Sequence, residues 1–159
     1  MLFGKRQGCL LSPCTGKSIP LSAVPDEAFA SGMLGVGFAV EPLAGRVCSP
    51  IAGQVESVAE SRHAFTILTD EGLDVLVHIG VDTVSLDGEG FVPLVQAGER
   101  VRAGAPLADA DVELIRKKGL CPDVVVIVTT PEKIENIEYK FGSASQAKDA
   151  VMCFQIKKG

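Results

Sequence analysis

Two histidines, His63 and His78, are the side chains of this sequence best suited to chemistry, and the chain has no others. Each lies in a short apolar run, residues 62–68 for the first and residues 74–82 for the second. A neutral imidazole can accept a phosphoryl group, bind a metal ion or act as a general base. Neither a Gly-x-Ser-x-Gly nucleophile motif nor a Gly-x4-Gly-Lys phosphate loop is present. The candidate reactive groups are therefore the two histidines.

The segment between them, residues 69–72 (Thr-Asp-Glu-Gly), is typical of a β-hairpin turn. A two-residue loop would place His63 directly opposite His78, with the two Cβ atoms about 5 Å apart on one face. A three-residue loop with Gly72 as a bulge is equally compatible and shifts the register by one residue. Both registers make the histidines neighbours, and the sequence leaves both open.

One histidine in such a strand is more often a core residue hydrogen-bonded to the backbone than a reactive one. Two histidines at one place need another explanation, because burying two imidazoles that titrate near neutral pH costs stability unless a function uses them. We therefore interpret the pair as a functional site.

The elements that position the pair are predicted to be mainly β-strands. Short apolar runs are separated by turn residues; 17 glycines, 9 prolines and an aromatic content of 5% favour many short strands over long helices. Helical patterns are limited to residues 110–118 and a shorter segment behind Pro131. The pattern predicts a sandwich or barrel.

We expect one domain, residues 11–159, preceded by a flexible amino end of residues 1–10. A Ser-Pro-x-x-Gly turn at residues 12–16 returns at residues 49–53. Two related hairpin units would explain this repeat, and so would the chance reuse of a common turn.

Composition and charge exclude several classes of protein. The net charge is −5, and the basic residues cluster only at residues 116–118 and 157–158, which argues against nucleic-acid binding. The longest aliphatic run, residues 124–128, is far shorter than the about 20 residues needed to cross a bilayer. The apolar run after Lys5 and Arg6 is too short for a signal peptide, so we expect a cytoplasmic protein. Five cysteines without a Cys-x-x-Cys pair predict reduced thiols, not a disulfide framework or a zinc ribbon.

The run at residues 78–84 (His-Ile-Gly-Val-Asp-Thr-Val), with Glu-Ser-Arg-His-Ala at residues 60–64, closely resembles the glucose-type enzyme IIA domain of the bacterial phosphoenolpyruvate-dependent sugar phosphotransferase system. The likeness covers roughly residues 10–158 and includes Val-Pro-Asp at residues 24–26 and both Ser-Pro-x-x-Gly turns. It implies an all-β fold: an antiparallel β-sandwich or distorted barrel, a duplicated hybrid motif, with one or two short helices.

The resemblance also implies the chemistry. His78 matches the phosphorylated histidine, and His63 lies beside it and supports the phosphoryl group. Ser61 stands where a threonine commonly orients the imidazole that corresponds to His63. We expect the Gly80 carbonyl to hold the Nδ1 proton of His78, so that Nε2 attacks. The implied donor is the histidine-containing phosphocarrier protein, and the implied acceptor is a cysteine of the enzyme IIB domain of a sugar permease, the chain's only link to a membrane. No metal or cofactor is implied, because the phosphoryl group moves between protein side chains.

The family's partner surface is an apolar patch beside acids, here Asp26 and Asp82. Its apolar positions correspond in this sequence to Phe29, Met33, Leu34, Leu76 and Val84. Ala59 and the Cys-Pro-Asp at residues 121–123 depart from the family pattern, which affects partner affinity and local geometry but not the chemistry. The transported sugar cannot be read from such a domain, because it contacts the membrane component.

Three other functions share single features of this sequence. A hybrid-motif zinc peptidase would use His78-x3-Asp82, but its His-x-His half cannot be built from two histidines, although paired imidazoles bind zinc opportunistically. A lipoyl or biotinyl carrier has turn spacing like that of residues 95–107, yet the lysine it would display is missing. A regulatory binding domain without phosphoryl transfer would not need both histidines, and a phosphorylation assay separates it from a phosphocarrier.

Overall fold

The computed structural model describes residues 6–146 and 148–157. Within them, the chain is mainly β-structure with two short α-helices. The strands are β1 (Gln7–Leu11), β2 (Gly16–Pro20), β3 (Val36–Pro42), β4 (Arg46–Cys48), β5 (Gly53–Val58), β6 (Ala64–Leu68), β7 (Asp74–Ile79), β8 (Phe91–Pro93), β9 (Arg100–Val101), β10 (Pro106–Ala110), β11 (Val124–Val128), β12 (Ile134–Tyr139), β13 (Gly142–Ala144) and β14 (Ala150–Ile156). The helices are α1 (Glu27–Ala30) and α2 (Val112–Lys117), with one-turn 3-10 helices at Leu21–Ala23, Thr83–Leu86 and Pro131–Lys133.

The strands form three sheets, and their pairings are antiparallel. The largest has eight strands in the order β13-β2-β3-β11-β7-β6-β5-β9, and the others are β1-β14-β12 and β4-β10-β8. This architecture confirms the expected antiparallel β-sandwich with short helices. Among the described residues, no helix has both the length and the apolar character needed to span a membrane.

Strand β11 is the buried centre of the large sheet, between β3 and β7. Val124, Val126 and Val128 belong to the main core cluster, whereas Val125 and Ile127 belong to a second, smaller cluster. A strand covered on both faces has no polar side, which explains why this segment is an unbroken aliphatic run in the sequence. His78 on β7 pairs with Val125 and thus lies over the smaller cluster.

The two Ser-Pro-x-x-Gly turns have the same local structure. The Ser12 hydroxyl donates to the Cys14 carbonyl at 2.6 Å, and the Ser49 hydroxyl donates to the Ile51 carbonyl at 2.7 Å. Both serines are fully buried. Each hydroxyl therefore satisfies a carbonyl inside its own turn, which makes serine more than a generic turn residue at both positions.

The turns also bind each other reciprocally. The Leu11 N–H donates to the Pro50 carbonyl at 2.9 Å, and the Cys48 N–H donates to the Pro13 carbonyl at 2.7 Å. Leu11 and Cys48 are equivalent positions of the repeat, and so are Pro13 and Pro50. The two bonds are therefore equivalent, and the turns are related by an approximate two-fold axis. This geometry favours two related hairpin units over chance reuse of a turn.

Part of the amino end that is predicted to be flexible, residues 7–10, belongs to strand β1. Residues 1–5 lie outside the described residues, but β1 pairs with β14 from Gln7 opposite Gln155 to Leu11 opposite Ala150. Leu10 has no exposed surface. Burial of this side chain and pairing with a strand from the far end of the chain hold the segment in place.

The prediction that all thiols are reduced is wrong for one pair. Cys9 and Cys153 face each other across β1 and β14, with Cα atoms 4.1 Å apart, and form a disulfide. Cys14, Cys48 and Cys121 are free. A partner 144 residues away leaves no spacing signal in the sequence, because only the register of the two strands brings it close.

The predicted helix within residues 110–118 is α2. The Asp111 side chain accepts a hydrogen bond from the Leu114 N–H at 3.0 Å, and Gly119, with a φ of 76°, follows the last turn. The segment behind Pro131 is only a 3-10 turn. Helix α1 was not predicted, because its four residues are too few to show a helical period.

Candidate functional site

The imidazole of His78 is held in one tautomer by its own loop. Its Nδ1 atom lies 2.8 Å from the Gly80 carbonyl oxygen, which can only accept a hydrogen bond. Nδ1 therefore carries the proton, and the lone pair is on Nε2. This is the bond expected from the sequence. It works because Gly80, with a φ of 82°, turns its carbonyl back toward the ring.

The second imidazole lies against the first. The ring centroids of His63 and His78 are 4.8 Å apart and the planes meet at 83°, an edge-to-face contact. His78 pairs with Ala64, so the three-residue loop containing Gly72 sets the register. A regular ladder in this register would put the histidines on opposite faces. His63 nevertheless lies on the same side as His78, because it precedes the regular part of β6 and follows Arg62, whose φ of 62° is in the left-handed region.

Both imidazoles are neutral at neutral pH. The pKa of His78 is lowered to about 4, mainly by burial and then by proximity to His63, while the Gly80 carbonyl and the charges of Asp26 and Asp82 act in the opposite direction. Burial also lowers the pKa of His63, against a smaller opposite effect of the Ser61 backbone. The site thus offers two uncharged imidazoles at a surface of the large sheet.

The expected hydrogen bond from the Ser61 hydroxyl to His63 is not formed. Nδ1 of His63 is buried and has no hydrogen-bond partner among the described residues. The hairpin closes through backbone bonds instead, from the Ala59 N–H to the Ala64 carbonyl and from the Arg62 N–H to the Ala59 carbonyl. Ser61 acts on His63 through its backbone, which raises the pKa of the imidazole against the larger lowering by burial.

Phe29 forms a wall of the site. Its ring centroid is 5.1 Å from that of His78, with the planes at 64°, and only 6% of its surface is exposed. Helix α1 places this ring, and Asp26 begins the helix by accepting a hydrogen bond from the Phe29 N–H at 3.2 Å. Phe29 thus supports the His78 ring, and its predicted part in a partner surface stays a prediction.

The other predicted partner residues are distributed around this centre. Leu76 precedes His78 by two positions and is half-buried on the same side of β7. Asp82, in the loop after β7, is exposed. Three apolar side chains are exposed to solvent: Met33, Leu34 and Val84, at 75%, 39% and 57%. Their part in a partner surface stays a prediction.

The departure from the family pattern at residues 121–123 leaves the loop after His78 intact. The Val81 N–H donates to the Cys121 carbonyl and the Gly80 N–H to the Asp123 carbonyl, both at 2.8 Å. Because these bonds use the backbone, changed side chains do not remove them. Burial raises the pKa of the Cys121 thiol to about 11, so it is protonated and unreactive at neutral pH.

Two residues of the site were missed in the sequence. The Phe91 ring centroid lies 6.4 Å from that of His63, and Thr83 is fully buried behind the loop that follows His78. A threonine in a loop carries no signal of burial, because the sequence does not show what packs against it.

An antiparallel β-sandwich with two neutral, contacting imidazoles on its large sheet belongs to the class of proteins that offer histidine for nucleophilic or acid–base chemistry. Residues 9–134 match the family model described as the phosphoenolpyruvate-dependent sugar phosphotransferase system, EIIA 1. The chain belongs to this family, and its role is in the phosphoryl transfer of that sugar-transport system.

Similar proteins support this family assignment. The chain is 40% identical over 141 residues to the glucose-specific EIIA component of Staphylococcus aureus strain N315, covering 86% of this chain and 85% of that protein. It is 43% identical over 140 residues to the glucose-specific EIICBA component of Streptococcus pneumoniae serotype 4, covering 88% of this chain. The chain spans only 19% of the length of that second protein. The solved glucose permease IIA from Mycoplasma capricolum superposes with a TM-score of 0.87 at 35% identity, covering 96% of this chain and 99% of that one.

Proposed function

We propose that this protein is a phosphocarrier that accepts a phosphoryl group on Nε2 of His78 from the histidine-containing phosphocarrier protein and passes it to a cysteine of an enzyme IIB domain. The observation that carries the proposal is the hydrogen bond from His78 Nδ1 to the Gly80 carbonyl. It leaves Nε2 as the nucleophilic nitrogen of a neutral ring.

In the first step the Nε2 lone pair attacks phosphorus, and an N–P bond forms while the N–P bond to the donor histidine breaks. The proton stays on Nδ1 and remains hydrogen-bonded to the Gly80 carbonyl oxygen, which stabilises the positive charge that develops on the ring. In the second step a thiolate attacks, an S–P bond forms and the His78 N–P bond breaks. Phosphoryl transfer of this kind depends mainly on positioning and on donors aimed at the phosphoryl oxygens.

His63 is the donor nearest to the transferred group. Its ring contacts that of His78 with the centroids 4.8 Å apart, so an N–H of His63 would reach an oxygen of a phosphoryl group on Nε2. Ser61 would assist if its hydroxyl rotates onto His63 Nδ1 in the phosphorylated protein, since catalytic hydrogen bonds are often completed only when the reacting group is bound.

Two observations support the partners. Asp26 and Asp82 act electrostatically on His78, so negative charge lies near the accepting imidazole and favours a basic donor surface. The Streptococcus pneumoniae relative is named an EIICBA component, which supports an enzyme IIB domain as the acceptor.

The test is incubation with phosphoenolpyruvate, enzyme I and the phosphocarrier, followed by intact mass at neutral or alkaline pH, because phosphohistidine is acid-labile. Wild-type protein should gain the mass of one phosphoryl group, and His78→Ala should not. His63→Gln, which keeps an amide donor, should still be phosphorylated but should transfer slowly to enzyme IIB. Ser61→Ala should accept at the wild-type rate and slow only the second step.

An adduct that persists in His78→Ala and is lost in His63→Ala would reverse the two assignments. No adduct on wild-type protein, with the donor shown to be charged, would instead favour a regulatory binding domain without phosphoryl transfer.

A further inference from the structure

Thr83 is a buried polar residue for which the phosphoryl-transfer chemistry gives no role. It has no exposed surface, and its hydroxyl donates a hydrogen bond to the Ile79 carbonyl. Ile79 directly follows His78 and ends β7. The threonine thus closes the loop after the strand by bonding back to the residue next to the accepting histidine.

The methyl group of Thr83 lies against Gly80. A Cβ added to Gly80 would overlap Thr83 Cγ2 and would lie 3.2 Å from both the Thr83 hydroxyl oxygen and the Cys121 carbonyl oxygen. Gly80 is therefore enclosed by the threonine side chain on one side and by the backbone of residues 121–123 on the other. Its N–H is fixed as well, by donation to the Asp123 carbonyl at 2.8 Å.

This enclosure matters because of what the Gly80 carbonyl does. At a φ of 82°, Gly80 has a backbone conformation that is open to other orientations of the peptide that follows it. The carbonyl of that peptide accepts the hydrogen bond from His78 Nδ1. Rotation of the peptide would remove the acceptor and release the His78 ring to either tautomer, and only one of these leaves Nε2 unprotonated.

We infer that Thr83 is a positioning residue for His78, whose hydroxyl on Ile79 and methyl group on Gly80 together hold the Gly80 carbonyl at His78 Nδ1. The inference rests on the proposed function in taking His78 Nε2 as the accepting atom. Thr83 touches no reacting group and acts only through the loop.

The side chain offers a matched pair of variants. Thr83→Val keeps the volume and a methyl group but removes the hydroxyl, whereas Thr83→Ser keeps the hydroxyl and removes the methyl group. Ser85→Ala is the control, since the Ser85 hydroxyl is in the same 3-10 helix and donates to the Asp82 carbonyl at 2.8 Å, but is exposed and does not touch Gly80.

The readout is the pair of ¹⁵N chemical shifts of the His78 ring in the unphosphorylated protein, which report directly which nitrogen is protonated. Wild type and Ser85→Ala should show a single tautomer with the proton on Nδ1. Thr83→Val should show an averaged mixture, and its phosphorylation rate should fall on the order of tenfold, because a misdirected lone pair removes the attack geometry. Thr83→Ser, which keeps the hydroxyl and loses only the methyl contact with Gly80, should show a measurable but smaller loss than Thr83→Val in both the rate and the single tautomer.

A pure Nδ1–H tautomer and a wild-type rate in folded Thr83→Val would overturn the inference. So would equal losses in Thr83→Val and Ser85→Ala, which would show a general effect on the loop. If wild-type protein is not phosphorylated on His78, the proposed function fails, whereas the ¹⁵N shifts of the variants still decide whether Thr83 holds the ring.

Discussion

The Asp26 carboxylate accepts a hydrogen bond from the Phe29 N–H at 3.2 Å, and Phe29 in turn packs its ring against His78. The acid expected to face a partner is therefore also the residue that begins α1. One side chain has two separable effects: its charge acts on an approaching donor, and its hydrogen bond holds the wall of the site.

Asp26→Asn and Asp26→Ala separate these effects. Asparagine caps helices about as well as aspartate, so Asp26→Asn should slow only association with the phosphocarrier, and the loss should shrink at high salt because exposed charges are screened within about 10 Å at 0.1 M. Asp26→Ala should also lose about 1 kcal/mol of stability and slow transfer within the complex. Rapid-quench phosphorylation at several donor concentrations measures both steps. Identical behaviour of the two variants would show that the cap is irrelevant to the site.

The rate of phosphoryl acceptance should depend on pH in a way that reports the environment of His78. An ordinary imidazole would lose its lone pair below pH 6.5, but the pKa of this one is lowered to about 4 by burial. Acceptance should therefore stay level from pH 8 to about pH 5 and fall below that. NMR titration of the His78 ring, with donor activity checked separately, measures the pKa. A midpoint near 6.5 would contradict the buried site.

The lowered pKa of His78 also implies that the stability of the protein depends on pH. Between pH 6.5 and about 4 the unfolded chain binds a proton at His78 that the folded chain does not, so stability is lost as the pH falls through this window. Across this window the lowered pKa of His78 changes the free energy of unfolding by about 3 kcal/mol. Urea unfolding of wild type and His78→Asn at pH 7 and pH 5 should show a smaller loss in the variant. Parallel losses would mean that other groups dominate acid sensitivity.

Leu34→Asp should weaken exchange with the phosphocarrier and leave the fold intact. Leu34 is 39% exposed, so a carboxylate there costs little in the free protein but would be unpaired in an apolar contact. Leu94→Asp is the matched control, because Leu94 is 43% exposed but follows β8 in another sheet. The KM for the phosphocarrier should rise only in Leu34→Asp, with equal melting temperatures. An unchanged KM would remove Leu34 from the partner surface.

Because Cys9 and Cys153 are bonded to each other, only three of the five cysteines should react with an alkylating reagent in denaturant without reductant. Cys9→Ser should lower the free energy of unfolding by roughly 2–5 kcal/mol, since the bond closes a long loop. Phosphorylation should not change, because the disulfide lies in the β1-β14-β12 sheet and His78 in the large one. Alkylation of all five cysteines would contradict the pairing.

Much of the site follows from local sequence. The turn at residues 69–72 makes His63 and His78 neighbours in either register, and the glycine after Ile79 allows a carbonyl to fold back on His78. Strand periods, helix caps and turn residues act over a few positions, so they are visible in the chain itself. The same applies to the two Ser-Pro-x-x-Gly turns and to α2.

Only the tertiary structure decided which separate segments of the chain contact each other. The turn at Gly72 left two registers open, and the packing of Phe65 and Val77 into the core, opposite each other, chose the one observed. The same holds for the pairing of β1 with β14 and for the Cys9–Cys153 bond. No local pattern encodes these contacts, because each depends on which distant strand completes the sheet and which side chains that strand buries.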